Sequence, residues 1–224
     1  FEGWMERLAK SSGGKAPLIV ATRGVKPIEA AEKDHDHDHD HAGHNHGGQD
    51  PHAWQDIGNA RIYVANIRDA LIAADPEGKA GYEANAAAYL KQLDAVETDV
   101  RAGIAKIPAN RRKIITSHDA FGYFAKAYGV QFIAPKGVST EAEASAKDVA
   151  RIIRQVKAEK IPAVFLENIQ DKRLAEQIAR ETGAKIGGAL FSDALSPPDG
   201  PAATYLDMMR NNLKQLVAAL APTG

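Results

Sequence analysis

Downstream of Pro108, short apolar runs alternate with amphipathic helical segments, and this alternation restricts the fold more than any other feature. Lys113 to Ser117, Val130 to Ala134, Ala163 to Leu166 and Lys185 to Leu190 each read as a strand. Phe121 to Tyr128 reads as a short helix stopped by Gly129. A second helix starts near Ala146, with Ser145 and Asp148 at capping-box spacing and Val149, Ile152, Ile153 and Val156 as its buried face. A third runs from Lys172 to Glu181, and a last one carries Leu206, Met209, Leu213, Leu216 and Leu220. Strands separated by helices of this length must run parallel, with right-handed crossovers. Residues 109–224 are therefore expected to form a doubly wound α/β lobe.

The upstream part follows a different pattern. Leu18 to Thr22 reads as a short buried strand. Apolar residues then recur at helical spacing at Ile57, Ala60, Val64, Ile67, Leu71 and Ala74, up to Asp75-Pro76. A second stripe, from Tyr82 through Ala86, Tyr89, Leu93, Val96, Val100 and Ile104 to Ile107, ends at Pro108. At 1.5 Å per residue it would span roughly 40 Å, enough for a strut between two lobes. The expected organisation is residues 1–77 as the remainder of an N-terminal lobe, 78–108 as a linking helix and 109–224 as the C-terminal lobe. The opening Phe1 to Leu8 reads like the middle of an amphipathic helix, so a preceding segment is expected.

Composition narrows the function classes. The 28 Lys and Arg balance 29 Asp and Glu, so the basic excess of a nucleic-acid binder is missing. No apolar run reaches the length of a bilayer span. The absence of cysteine excludes disulfides, thiolate zinc sites and thiol nucleophiles. Histidine is distributed unevenly: six of eight, His35, His37, His39, His41, His44 and His46, lie in one tract that largely alternates with Asp. Such a tract has no apolar face to bury, so a mobile loop is expected. A solvated linker or an inserted tag is one reading. Weak binding of several divalent ions is the other, since imidazoles and carboxylates are both zinc ligands.

In an open parallel sheet, ligands bind beyond the carboxyl ends of the strands. His118 directly follows the first strand of the C-terminal lobe, and Asp193 follows the fourth. His52 lies in Asp50-Pro51-His52-Ala53-Trp54, where proline restrains the backbone. Each residue also has an ordinary reading. His118 could cap a helix, Asp193 could cap a turn, and His52 could be an exposed neighbour of the tract. Together they suggest one metal site.

Four segments, Asp50 to Trp54, Thr116 to Ala125, Val138 to Glu143 and Phe191 to Leu195, resemble the signature of the metal-binding solute-binding proteins of ABC importers. The periplasmic, zinc-binding, ZnuA-like members are the most similar, and they too carry an acidic His-rich insertion before the Asp-Pro-His segment. The resemblance implies two α/β lobes joined by a long helix, with metal in the cleft between them. It implies His52, His118 and Asp193 as three of four ligands. The remaining ligand, a histidine, has no counterpart here. Phe1 to Trp4 resembles the stretch shortly after it, so that ligand and the rest of the N-terminal lobe are expected upstream of residue 1. Manganese-binding relatives tend to carry glutamate at the position of His118, and imidazole suits zinc better than manganese, although copper and nickel also bind imidazoles tightly.

The expected function is capture of zinc outside the cytoplasm, in the periplasm, and delivery to an importer permease by a monomer, with a periplasmic zinc chaperone as a potential donor. The rival is a zinc-dependent hydrolase with an open water position and Asp119 or Glu141 as general base. A dinucleotide enzyme is disfavoured because no Gly-x-Gly-x-x-Gly follows a strand. A purely structural zinc domain is disfavoured because the three residues come from distant segments.

Overall fold

The computed structural model describes residues 5–13, 16–30, 48–138 and 144–222. The strand segments pair as expected. β1 (Lys113–Ile115), β2 (Gln131–Ile133), β3 (Ala163–Glu167) and β4 (Lys185–Leu190) form one sheet in the order β2-β1-β3-β4. Every pairing is parallel. The strand residues divide between two cores with a period of two, as a sheet covered on both faces requires. Ile114, Ala163, Phe165 and Leu190 face one core, and Ile115 and Val164 face the other.

The helices covering these faces are α1 (Met5–Ser11), α2 (Ile57–Ala74), α3 (Lys79–Ala105), α4 (Gly122–Tyr128), α5 (Ala146–Glu159), α6 (Lys172–Thr182) and α7 (Tyr205–Leu220). One core gathers Leu93, Val96, Val100 and Ile104 of α3, Phe124 of α4, and Met209, Leu216 and Leu220 of α7. The other takes Ile152 and Val156 of α5 and Ala175 and Ile178 of α6. The capping-box residues act as their spacing predicts: Ser145 Oγ accepts the Asp148 N–H at 3.1 Å, at the start of α5. Gly129 closes α4 in the left-handed conformation, with φ of 71°.

The long stripe is one helix of 27 residues, α3, which packs on both α2 and α7. Gly103 permits the approach to α7, because a Cβ there would lie 2.6 Å from Leu213 Cδ1.

One upstream expectation is corrected. Leu18, Ile19 and Val20 form no ladder and are 49%, 48% and 53% exposed, so they are not a buried strand. Strand hydrogen bonds need a neighbour, and no described strand lies beside this segment. The chain instead turns over residues 21–24, held by Asn66 Nδ2 donating to the carbonyls of Ala21 and Arg23 at 2.7 and 2.8 Å. The apolar stripe of α2 is buried only at its start, at Ile57 and Ala60, while Ile67 and Leu71 remain 48% and 43% exposed. Met5–Ser11 form the short α1, which buries none of its residues. The tract from His35 to His46 and most of the Val138 to Glu143 segment, including Glu141, lie outside the described residues.

Candidate metal centre

His118 is carried past the end of β1. Thr116 N–H still donates to Ile133 O at 3.1 Å, and the chain then leaves the ladder. Glu167, the last residue of β3, holds the bend: its Oε1 accepts the N–H groups of Ser117 at 2.6 Å and His118 at 2.9 Å. Its Oε2 stands 2.5 Å from His118 Nδ1, and both side chains are fully buried. This close contact lies off the line of a well-formed hydrogen bond.

His52 arrives from the other side on a local support. Residues 28–30 and 48–50 run antiparallel, with a bridge between Glu29 and Gln49. Asp50 N–H donates to Ile28 O and Ala30 N–H donates to Gly48 O, both at 2.9 Å. Asp50 then turns its carboxylate onto the residue two places ahead. Its Oδ1 accepts the His52 N–H at 2.8 Å and lies 2.7 Å from His52 Nδ1. Gly122, opening α4, leaves room for this carboxylate, because a Cβ there would come 2.5 Å from Asp50 Oδ2. The next residues bind the C-terminal half: Trp54 Nε1 and Gln55 Nε2 both donate to Ser192 O at 2.9 Å, and Tyr205 OH donates to Trp54 O at 2.7 Å.

Asp193 follows β4 on a backbone clamped by α7. The Asn212 side chain accepts the Phe191 N–H and donates to Phe191 O, each at 2.8 Å. The Asp193 carboxylate reaches both histidines, with Oδ1 3.1 Å from His52 Nε2 and Oδ2 3.0 Å from His118 Nε2. The histidine side chains are fully buried and that of Asp193 is 15% exposed. One ligand atom from each of His52, His118 and Asp193 falls within 4.8 Å of the others, the one such cluster of three among the described residues. His118 Nε2 and both Asp193 oxygens are buried yet make no aligned hydrogen bond with the described residues. Buried polar atoms normally have such partners, so this donor set fits a cation.

The electrostatics agree with that fit. Burial pulls the His118 imidazole down, but Asp193 and Glu167 outweigh it and hold its pKa up at about 9. His52 is raised in the same way, with burial opposed by Asp193 and Asp50. Burial pushes Asp193 up, yet the two imidazoles keep it well below the carboxylate range. With its pKa raised, His118 holds a proton near neutral pH that a divalent ion must displace.

All three residues singled out from the sequence therefore meet. Asp119 is engaged through its backbone, donating to Gly137 O at 3.2 Å, and is absent from the cluster. The supporting roles of Glu167 and Asp50 were not read from the sequence. A carboxylate closing an otherwise apolar strand was the available signal for Glu167, and Asp50 lay within a recognised segment.

Comparison with known proteins identifies the family. Residues 1–219 match the ZnuA family, described as the periplasmic component A of a zinc-uptake complex. The chain is 35% identical over 209 residues to the iron-binding protein YfeA of Yersinia pestis, covering 93% of this chain and 64% of that protein. It is 31% identical to the manganese-binding lipoprotein MntA of Halalkalibacterium halodurans, covering 99% of this chain and 69% of MntA. The chain thus spans about two thirds of the length of these curated relatives. The periplasmic zinc-binding protein TroA of Treponema pallidum superposes with a TM-score of 0.84 at 29% identity, covering 97% of this chain and 76% of TroA. A manganese-bound periplasmic metal-binding protein from Candidatus Liberibacter asiaticus gives 0.76 at 33% identity, covering 90% of this chain and 70% of the other. The chain belongs to the ZnuA family of metal-binding substrate-binding proteins of ABC importers.

Proposed function

We propose that this chain captures zinc in the periplasm, at His52, His118 and Asp193, and that the protein delivers it to the permease of an ABC importer. The observation that carries the reading is the convergence of two imidazole nitrogens and one carboxylate on buried strand and loop ends. The relatives are named for iron, manganese or zinc, so the choice of zinc rests on the donors. Two imidazoles with one carboxylate suit a borderline ion better than the harder manganese. A binding role is favoured over hydrolysis because the family is one of substrate-binding components and Asp119, a candidate general base, is absent from the cluster. Six histidines between His35 and His46 serve as a weak auxiliary collector, and the protein works as a monomer that a periplasmic chaperone can load.

Competition titration with zinc and manganese is the test. One tight zinc site per chain, preferred over manganese and lost in His118→Ala, is expected. A preference for manganese would reject the choice of ion. Unchanged binding in His118→Ala would reject the site.

A further inference from the structure

Two buried carboxylates stand behind the two histidines, and they divide their oxygens differently. Asp50 uses a single oxygen: Oδ1 accepts the His52 N–H at 2.8 Å and faces the ring Nδ1 at 2.7 Å. Glu167 uses both. Oε1 is committed to the N–H groups of Ser117 and His118, at 2.6 and 2.9 Å, while Oε2 alone faces the His118 ring, at 2.5 Å.

We infer that Glu167 is the positioning residue that dictates which nitrogen of His118 is presented to the metal, and that it can do so only as a carboxylate. The inference rests on the reading of His118 as a metal ligand. The Glu167 contact is off the line of a well-formed hydrogen bond, but a carboxylate oxygen so close to Nδ1 favours the hydrogen on Nδ1, which leaves the Nε2 lone pair toward His52 and Asp193. An amide at position 167 cannot reproduce this. Its one oxygen is claimed by two backbone donors, so its NH2 group takes the place of Oε2 and meets Nδ1 as a donor. The ring then accepts at Nδ1 and carries its hydrogen on Nε2, the nitrogen the metal needs. The same exchange at position 50 costs less, because one amide oxygen at the place of Oδ1 keeps both bonds to His52.

Glu167→Gln and Asp50→Asn, isosteric exchanges of the same kind, are therefore expected to differ. Zinc affinity should fall about 10–100-fold in Glu167→Gln, the usual cost of losing a supporting partner, and by a smaller factor in Asp50→Asn. Nitrogen-15 histidine spectra of the zinc-loaded protein provide a readout that simple loosening would not move. In the wild type, His118 should show hydrogen on Nδ1 and metal on Nε2, with a downfield Nδ1–H proton that Glu167→Gln removes and Asp50→Asn retains. Equal effects of the two exchanges, or that proton surviving in Glu167→Gln, would overturn the inference. If Glu167→Gln does not fold, the wild-type spectrum decides alone, and zinc on Nδ1 of His118 would overturn it. His118→Ala separates the two readings. Unchanged zinc affinity in that variant rejects His118 as a ligand, whatever the spectra show about Glu167.

Discussion

His52 and His118 offer equivalent nitrogens to the same aspartate, 3.1 and 3.0 Å away, from supports of opposite character. The mounting of His52 is local: a short antiparallel stem, a proline and a carboxylate two residues back. That of His118 is long-range, since Glu167 joins the end of β1 to the end of β3 across 50 and 49 residues of chain. A local mounting can be assembled by a short motif. A long-range one exists only when the sheet is formed, so the geometry of His118 reports the integrity of the whole α/β half. The difference also separates their failure modes. Damage to the stem or to α4 should reach His52 first, whereas damage to the sheet should reach His118.

The strongest way to break this comparison is to remove each ring. His52→Ala and His118→Ala should each weaken zinc binding by more than the roughly 10–100-fold typical of losing a supporting partner, as titration against a zinc chelator would measure. A large loss in one variant only would mean the two histidines are not equivalent donors.

Acidity probes the pair next. The His118 pKa is raised from 6.5 to about 9, so zinc must displace a proton from it near neutral pH. Apparent zinc affinity should rise by up to about tenfold per pH unit for each proton released, and flatten above pH 9 for His118. Calorimetry in buffers of different ionisation enthalpy should detect that release. The metal-free protein should show the opposite slope. A raised folded pKa stabilises fully below 6.5 and loses that contribution as pH climbs through 9. Asp193, which is depressed, contributes above its ordinary 3.8 and loses its contribution as pH falls below it. Denaturant midpoints of the metal-free chain should therefore be highest between about pH 4 and 6.5 as far as these groups decide it.

A smaller effect tests the local mounting alone. Gly122→Ala places a methyl group 2.5 Å from Asp50 Oδ2 and should displace that carboxylate, lowering stability by about 1–3 kcal/mol and zinc affinity several-fold. Gly137→Ala, where a Cβ meets nothing within 4 Å, should leave zinc binding unchanged. The smallest effect expected is from deleting Asp34 to His46. The preorganised cleft should keep its tight affinity within a few-fold, while total zinc bound falls and uptake from a competing donor slows.

The C-terminal sheet was legible because strands covered on both faces read as continuous apolar runs between helices. His118 and Asp193 were legible as polar residues placed just past those runs, and His52 through its Asp-Pro-His segment. Leu18 to Val20 misled because an apolar run carries no information about whether a neighbouring strand is present. The helix carrying Ile67 and Leu71 was legible, but helical spacing identifies a face without saying what covers it. Glu167 escaped because its role depends on the adjacency of β1 and β3, which the order of segments along the chain does not specify.

Zinc-edge anomalous diffraction from crystals of the chain loaded with one equivalent of zinc tests the central claim most directly. One strong peak is expected about 2.0–2.2 Å from Nε2 of both His52 and His118 and from a carboxylate oxygen of Asp193. Zinc bound elsewhere, with His118 Nε2 still against Asp193 and no ion between them, would contradict it.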